Sequence, residues 1–266
     1  GAGLLSVPVA GLVSVVIQRA LARRACLRVL GTEPLMTTTE AIGRGLLARL
    51  WPNASRVGLL GLGGYVGGQA MAFLCLATLG LAANAQYGLS LQIIGVVQGM
   101  AMTWTQVKWP LLAQQRSRGD LAGMRHVFRE RLWLQLGTFA VLAPLALPLG
   151  PAFLHWLGTD KVMLPMMWMV VLALNSFLEM HLSTWGMLIY TDNRLPVLWP
   201  ILLANAASLA LAFALLQMST LGLGALVLAP LLAGLSYNYW HWPRAGCRLL
   251  QTSWSQLMFT RQPPSA

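Results

Sequence analysis

Residues 163–189 read MLPMMWMVVLALNSFLEMHLSTWGMLI. One acid, Glu179, and one histidine, His181, interrupt a stretch that is otherwise apolar or neutral. About 20 apolar residues suffice for an α-helix to cross the hydrocarbon core of a bilayer. The stretch therefore predicts a transmembrane helix, and an all-α protein built from several of them. At about 100° per residue, Asn175, Ser176, Glu179, Ser183 and Gly186 fall on one stripe of that helix. A polar stripe on a membrane helix faces protein or a water-filled cavity, because lipid cannot satisfy it. An acid kept inside a span is costly, which marks Glu179 as a site for a proton, a cation or a polar substrate group. The plainer reading is a protonated carboxyl tied to a neighbouring helix. His181 projects about 200° away from Glu179 on the same wheel and reads as a hydrogen-bonded packing residue.

Working outward, six more stretches have the same character: 3–18, 57–79, 86–107, 132–154, 196–216 and 221–242. Together they predict a polytopic helical membrane bundle of about seven transmembrane helices. Composition agrees, with 57% hydrophobic and only 9% charged residues, against about 25% charged in a soluble domain. The chain opens at Gly1 and enters an apolar stretch at once, which suggests a fragment whose start lies upstream.

The net charge of +11 could point to nucleic acid, but the placement of the charges excludes that partner. If the segment after the first helix is cytoplasmic, every basic residue except Lys161 falls on the cytoplasmic side. These are Arg19, Arg23, Arg24, Arg28, Arg44, Arg49 and Arg56, then Lys108, Arg116, Arg118, Arg125, Arg129 and Arg131, then Arg194, Arg244, Arg248 and Arg261. That alternation is the signature of cytoplasmic loops in a multi-pass protein. It places the long basic loops and the carboxyl terminus inside.

Residues 19–56 form the longest polar stretch. Thr37 and Glu40 have the spacing of a capping box, and Ile42, Leu46, Leu47 and Leu50 then line one face, as in a helix lying on the cytoplasmic surface. In the second connector, 108–131, Arg118-Gly119-Asp120 breaks the chain, and a basic helix runs from about 121 into the fourth span.

Polar groups also gather in other spans. Gln92, Gly95, Gln98, Gly99, Thr103, Thr105 and Gln106 share a broad arc of the third span. They suit either a hydrated, sugar-binding path or interhelical hydrogen bonds. In the second span, Gly63 with Gly67 and Gly64 with Gly68 make small-xxx-small pairs that predict close helix packing, with bending during transport as the alternative. Pro144, Pro148, Pro200 and Pro230 lie inside spans and are expected to kink them. No GxSxG, HExxH or Walker motif and no paired carboxylates occur, so neither an enzyme nor a cofactor is expected. His126, His155, His181 and His241 are scattered, and three cysteines without a CxxC indicate neither a disulfide framework nor a metal site.

Several segments carry a resemblance in their order and loop character: LWPNASRVGLLGLGGYVGGQ at 50–69, LGLAANAQYGLSLQI at 79–93, WTQVKWPLLAQQRSRGDLAGMRHVFRERLWL at 104–134, LPLGPAFLHWLG at 147–158 and NSFLEMHLSTWGMLIYTDNRLP at 175–196. Over about 45–245 the chain resembles the carboxyl-terminal half of the MOP (multidrug/oligosaccharidyl-lipid/polysaccharide) exporter superfamily, in its polysaccharide-export, O-antigen flippase branch. The resemblance implies that 1–18 is the last helix of an otherwise missing first lobe and 19–56 a cytoplasmic connector with an amphipathic helix. It implies a six-helix lobe at 57–242 and a basic cytoplasmic tail at 243–266.

The resemblance further implies a bacterial inner-membrane transporter that moves a lipid-linked oligosaccharide to the periplasmic leaflet by alternating access. Membrane lipids, a proton or sodium ion, and glycan polymerase or glycosyltransferases would be its partners. Glu179, Asn175, Ser183, Gln92, Gln98 and Gln106 are then candidate cavity or coupling residues. No cation lies mid-span, so contacts to a diphosphate would fall to the missing lobe or to end residues such as Arg56, Lys108 and Arg131. The alternatives are a cation-coupled multidrug antiporter of the same superfamily, which Glu179 would suit, and a truncated, non-transporting paralogue.

Overall fold

A computed structural model describes residues 3–30, 41–156, 158, 161–191 and 196–259. Within these residues the fold is all-helical. Five helices are long and apolar enough to cross a membrane, which makes the chain a multi-pass membrane protein. Their outer faces carry large apolar side chains where a soluble protein would place charge: Phe73, Leu81, Trp199 and Leu203 are each about two-thirds exposed or more.

The chain divides into two units, Gly1–Trp51 and Pro52–Ala266. The first holds α1 (Gly3–Leu30) and the opening turns of α2 (Ala41–Gln106). Helix α1 does not stop at Gln18 but runs through Arg19, Arg23, Arg24 and Arg28, and it is not among the five. The Thr37–Glu40 box lies outside the described residues, as do the side chains of Ile42, Leu46 and Leu47; Leu50 is exposed.

The second unit begins within α2. This helix covers two of the stretches read as separate spans, 57–79 and 86–107, and is interrupted only at Gly80, with φ 86° and ψ 178°. Only glycine adopts that backbone conformation at ease. A straight helix would hold Leu60 and Gln98 about 57 Å apart. Both border one cavity, so the chain turns back at Gly80 and α2 forms two arms, 52–79 and 81–106.

After α2 come α3 (Trp109–Ser117), α4 (Leu121–Trp156), α5 (Met166–Tyr190), α6 (Leu198–Met218), α7 (Leu223–Ser236), α8 (Asn238–Leu249) and α9 (Trp254–Phe259). The expected break between α3 and α4 is built from local chemistry. Gly119 has φ 74°, and Asp120 Oδ1 accepts the Gly123 amide at 2.8 Å. This satisfies one of the four orphan N–H groups at the start of α4. Asp120→Ala is expected to destabilise unit 2 by about 1 kcal/mol, while Asp120→Asn stays close to wild type. Equilibrium unfolding in detergent would check both, and equal stability of the Ala variant would remove the cap from the account.

Helix α5 starts three residues later than its apolar run because Pro165 is extended, at φ −50° and ψ 145°. Met163 and Leu164 are nevertheless buried. Side chains from α2 satisfy their backbone groups: Gln86 Nε2 donates to the Met163 carbonyl at 2.7 Å, and Ser90 Oγ accepts the Leu164 amide at 2.9 Å. Non-helical backbone at membrane depth needs such partners.

Pro144 and Pro148, joined by Pro151, do lie inside α4, and Pro230 inside α7. Pro200 does not interrupt a helix. It occupies the first turn of α6, where the missing N–H would have had no intrahelical partner.

Helix α7 packs closely on α5, α6 and α8, and α8 on α5, whereas α2 approaches no other helix as closely. One core gathers Met71, Cys75, Tyr87 and Ile94 of α2 with Leu172 of α5, Ala212 of α6 and Leu226 of α7. A second joins Leu112, Met124, Phe128, Trp185, Cys247, Leu250 and Leu257. Residues 243–259 thus supply buried side chains to the bundle rather than trailing from it.

Candidate functional site

Between the two arms of α2 and helices α5–α8 lies a cavity of about 600 Å³, within the about 300–1,000 Å³ usual for ligand sites. Its existence follows from the glycines of the first arm. Gly64 and Gly68 line it with open space where a Cβ would stand. The expected close backbone approach is not found for either pair, because α2 comes close to no other helix over any stretch; side chains of α6 reach Gly63 and Gly67 instead. A Cβ on Gly63 would run into Leu202 of α6, and one on Gly67 would touch Asn205. Gly63 therefore stands against the Leu202 side chain, whereas Gly64, Gly67 and Gly68 all border the cavity.

All five members of the α5 stripe, Asn175, Ser176, Glu179, Ser183 and Gly186, border the cavity. Asn175 Nδ2 donates to Glu179 Oε1 at 3.3 Å, and the Tyr239 hydroxyl donates to Asn175 Oδ1 at 2.8 Å. A relay of tyrosine, amide and carboxyl therefore runs from α8 to α5. Two backbone features aim Tyr239 into it. The chain breaks between α7 and α8 at Tyr237, with φ −149° and ψ −54°, and Gly234 leaves room for the Tyr239 ring, which would stand 2.2 Å from a Cβ there. Tyr87 comes from the second arm of α2, and Glu179 lies within electrostatic reach of both tyrosines.

The remaining polar lining consists of Gln98, Tyr190, Asn205, Ser208 and Asn238. Asn238 is buried and accepts the Trp242 indole N–H at 3.0 Å. Glu179 is the one acid among the lining residues, and no lysine, arginine or histidine stands among them. Among the described residues, no three His, Cys, Asp or Glu side chains come together as a metal site. The chemistry on offer is amide and hydroxyl hydrogen bonding, aromatic faces and a single carboxyl.

The arc on the second arm of α2 divides among three environments. Gln98 and Gly95 line the cavity. Thr105 is buried and donates to Gln135 Oε1 of α4. Gln135 Nε2 in turn donates to Thr184 Oγ1 of α5 at 2.7 Å, and the Thr184 hydroxyl donates to the Met180 carbonyl at 3.0 Å. Gln92 and Gln106 are exposed and do not border the cavity.

Nor do Arg56, Lys108 and Arg131 border it. Arg56 is exposed on α2, Lys108 is half-buried in the turn before α3, and Arg131 lies on α4 with Nη2 3.5 Å from Glu130. His181 accepts the Trp185 indole N–H at 2.9 Å, so it takes part in packing outside the relay. Sequence reasoning passed over Tyr87, Tyr239, Asn205, Ser208 and Asn238. The signal for two of them was Asn205 and Ser208 at a three-residue spacing, one face of an otherwise apolar helix.

This arrangement defines a class: a multi-pass helical membrane protein with a polar cavity walled by its own spans. No family model, curated protein or solved structure matches the chain.

Proposed function

We propose that the chain is a transporter lobe of the MOP exporter type, and that its cavity takes the glycan part of a lipid-linked oligosaccharide on its way across a bacterial inner membrane. In this reading the arms of α2 are two spans. With α1, α4, α5, α6 and the broken α7–α8 segment they make seven, and the basic connectors face the cytoplasm. The observation that carries the proposal is the lining itself. Amides from Gln98, Asn175, Asn205 and Asn238 and the rings of Tyr87, Tyr190 and Tyr239 surround one cavity without a single cation. That chemistry suits hydroxyl-rich rings, and leaves the charged diphosphate to residues outside the cavity.

One observation favours a second reading, a cation-coupled antiporter of the same superfamily. Glu179 is the one acid in the lining and has no basic partner there, so a cationic cargo would supply the missing counter-charge.

The purified chain, reconstituted in vesicles, should carry a fluorescent lipid-linked oligosaccharide out of reach of a membrane-impermeant quencher. The double variant Gly64→Leu/Gly68→Leu should fold, because a Cβ at either position meets open space, and it should slow this movement at least about tenfold by filling the cavity. Uptake of an organic cation without movement of the glycan lipid would select the second reading. Movement of neither would overturn both.

A further inference from the structure

We propose that the outward face of α8 is a headgroup site for anionic phospholipid, formed by Tyr237, Trp240, Arg244 and Arg248. The inference requires α8 to end a membrane span and does not depend on what the cavity carries.

Helix α8 has two unlike faces. Asn238, Trp242, Pro243, Gly246 and Cys247 are buried, and Gly246 lies so close to the Trp185 ring that a Cβ would stand 2.2 Å from it. The buried face is therefore committed to the bundle. On the opposite face Tyr237 is 38% and Trp240 42% exposed, and Arg244 and Arg248 are exposed as well. Trp240, Arg244 and Arg248 recur every four residues and so stand in one row.

The row is ordered. The Tyr237 and Trp240 rings meet edge to face at 5.7 Å, and the Arg244 guanidinium lies over the Trp240 ring at 5.0 Å. The His241 ring stacks on Tyr237 at 4.3 Å and lies within electrostatic reach of both arginines. Among the described residues, no carboxylate pairs with Arg244 or Arg248.

The row runs from aromatic to cationic toward the end of the Leu223–Leu249 span. Tryptophan and tyrosine settle where hydrocarbon meets headgroups, and the guanidiniums then stand at phosphate level. Arginines one turn apart lie about 6 Å from each other, a spacing at which both can bond one phosphodiester, as arginine's fork of donors favours. Two unpaired positive charges select an anionic over a zwitterionic headgroup. Aromatic exposure continues past the helix, with Trp254 and Phe259 of α9 exposed above buried Leu257 and Met258.

The test measures association of spin-labelled phosphatidylglycerol and phosphatidylcholine with the full chain in mixed vesicles of these two lipids. Wild type should prefer phosphatidylglycerol, and Arg244→Gln/Arg248→Gln should lower that preference about tenfold. The control Arg118→Gln/Arg125→Gln removes the same net charge elsewhere and should change it less than about twofold. Arg244→Lys/Arg248→Lys keeps the charge and should keep most of the preference, which guards against a misfolded glutamine variant. Unchanged preference in the glutamine variant, an equal loss in the control, or displacement of the lipid by inorganic phosphate would each overturn the site.

Discussion

Glu179→Gln is expected to abolish the response of transport to an imposed proton or sodium gradient and to slow turnover about a hundredfold. A carboxylate out of bulk water is stable only with a counter-charge. The lining offers Glu179 an amide and nearby phenols but no cation, so that charge must come from a bound proton, a metal cation or the cargo. A charge-assisted hydrogen bond contributes about 1.5–3 kcal/mol, which is about 10–150-fold in a rate or binding constant. Glutamine keeps the shape and still accepts the Asn175 amide, so the bundle should fold as before. Tyr239→Phe removes only the hydroxyl that holds Asn175 at 2.8 Å, and should cost about tenfold or less with the gradient response retained. Gradient-driven transport in reconstituted vesicles checks both variants. A glutamine variant that still follows the gradient would remove Glu179 from coupling.

The helical, membrane-spanning character was legible because apolar run length measures the bilayer directly. The α5 stripe was legible for a related reason. A polar face on a membrane helix must find a polar neighbour, and here all five stripe residues found the same cavity. The second arm of α2 was harder because a helical wheel discards depth. Gln98 and Thr105 differ by only about 20° around the axis yet by about 10 Å along it. One faces the cavity, and the other meets Gln135 on a different helix. Gln92 and Gln106 look like their neighbours in composition but point outward, a distinction that depends on where α4 and α5 pass.

The glycines illustrate the same limit. Gly63 and Gly64 are adjacent and identical in type, but one is crowded by Leu202 and the other faces empty space. The basic residues Arg56, Lys108 and Arg131 carry charge near span ends, and neither property brings a side chain to the cavity. The break at Tyr237 left no trace in the apolar pattern, because tyrosine and tryptophan fit a helix as well as its end. Gly234, five positions before Tyr239, is what makes room for the displaced ring.

Gln135→Leu is expected to destabilise the bundle by about 2 kcal/mol, and adding Thr105→Val and Thr184→Val should recover most of that loss. Gln135 is fully buried and joins three helices, taking the Thr105 hydroxyl of α2 and giving its amide to Thr184 of α5. Interhelical hydrogen bonds in membranes contribute only about 0.6–1.7 kcal/mol each, so the lost bonds alone account for part of the cost. The rest comes from the partner left behind. Thr184 keeps its bond to the Met180 carbonyl at 3.0 Å, whereas the buried Thr105 hydroxyl loses the acceptor it had on α4. An unsatisfied buried group costs about 1–3 kcal/mol, while replacing all partners with apolar groups of similar shape is nearly neutral. The triple variant therefore separates a polar tie from simple packing. If the staple acts through its hydrogen bonds, the single leucine is worse than the triple. If leucine merely packs badly against Phe139 and its neighbours, the triple is at least as unstable as the single. Unfolding of wild type and the two variants in mixed detergent micelles decides between these outcomes. The result also bears on transport, because α4, α5 and the second arm of α2 would move as one body only while this tie holds.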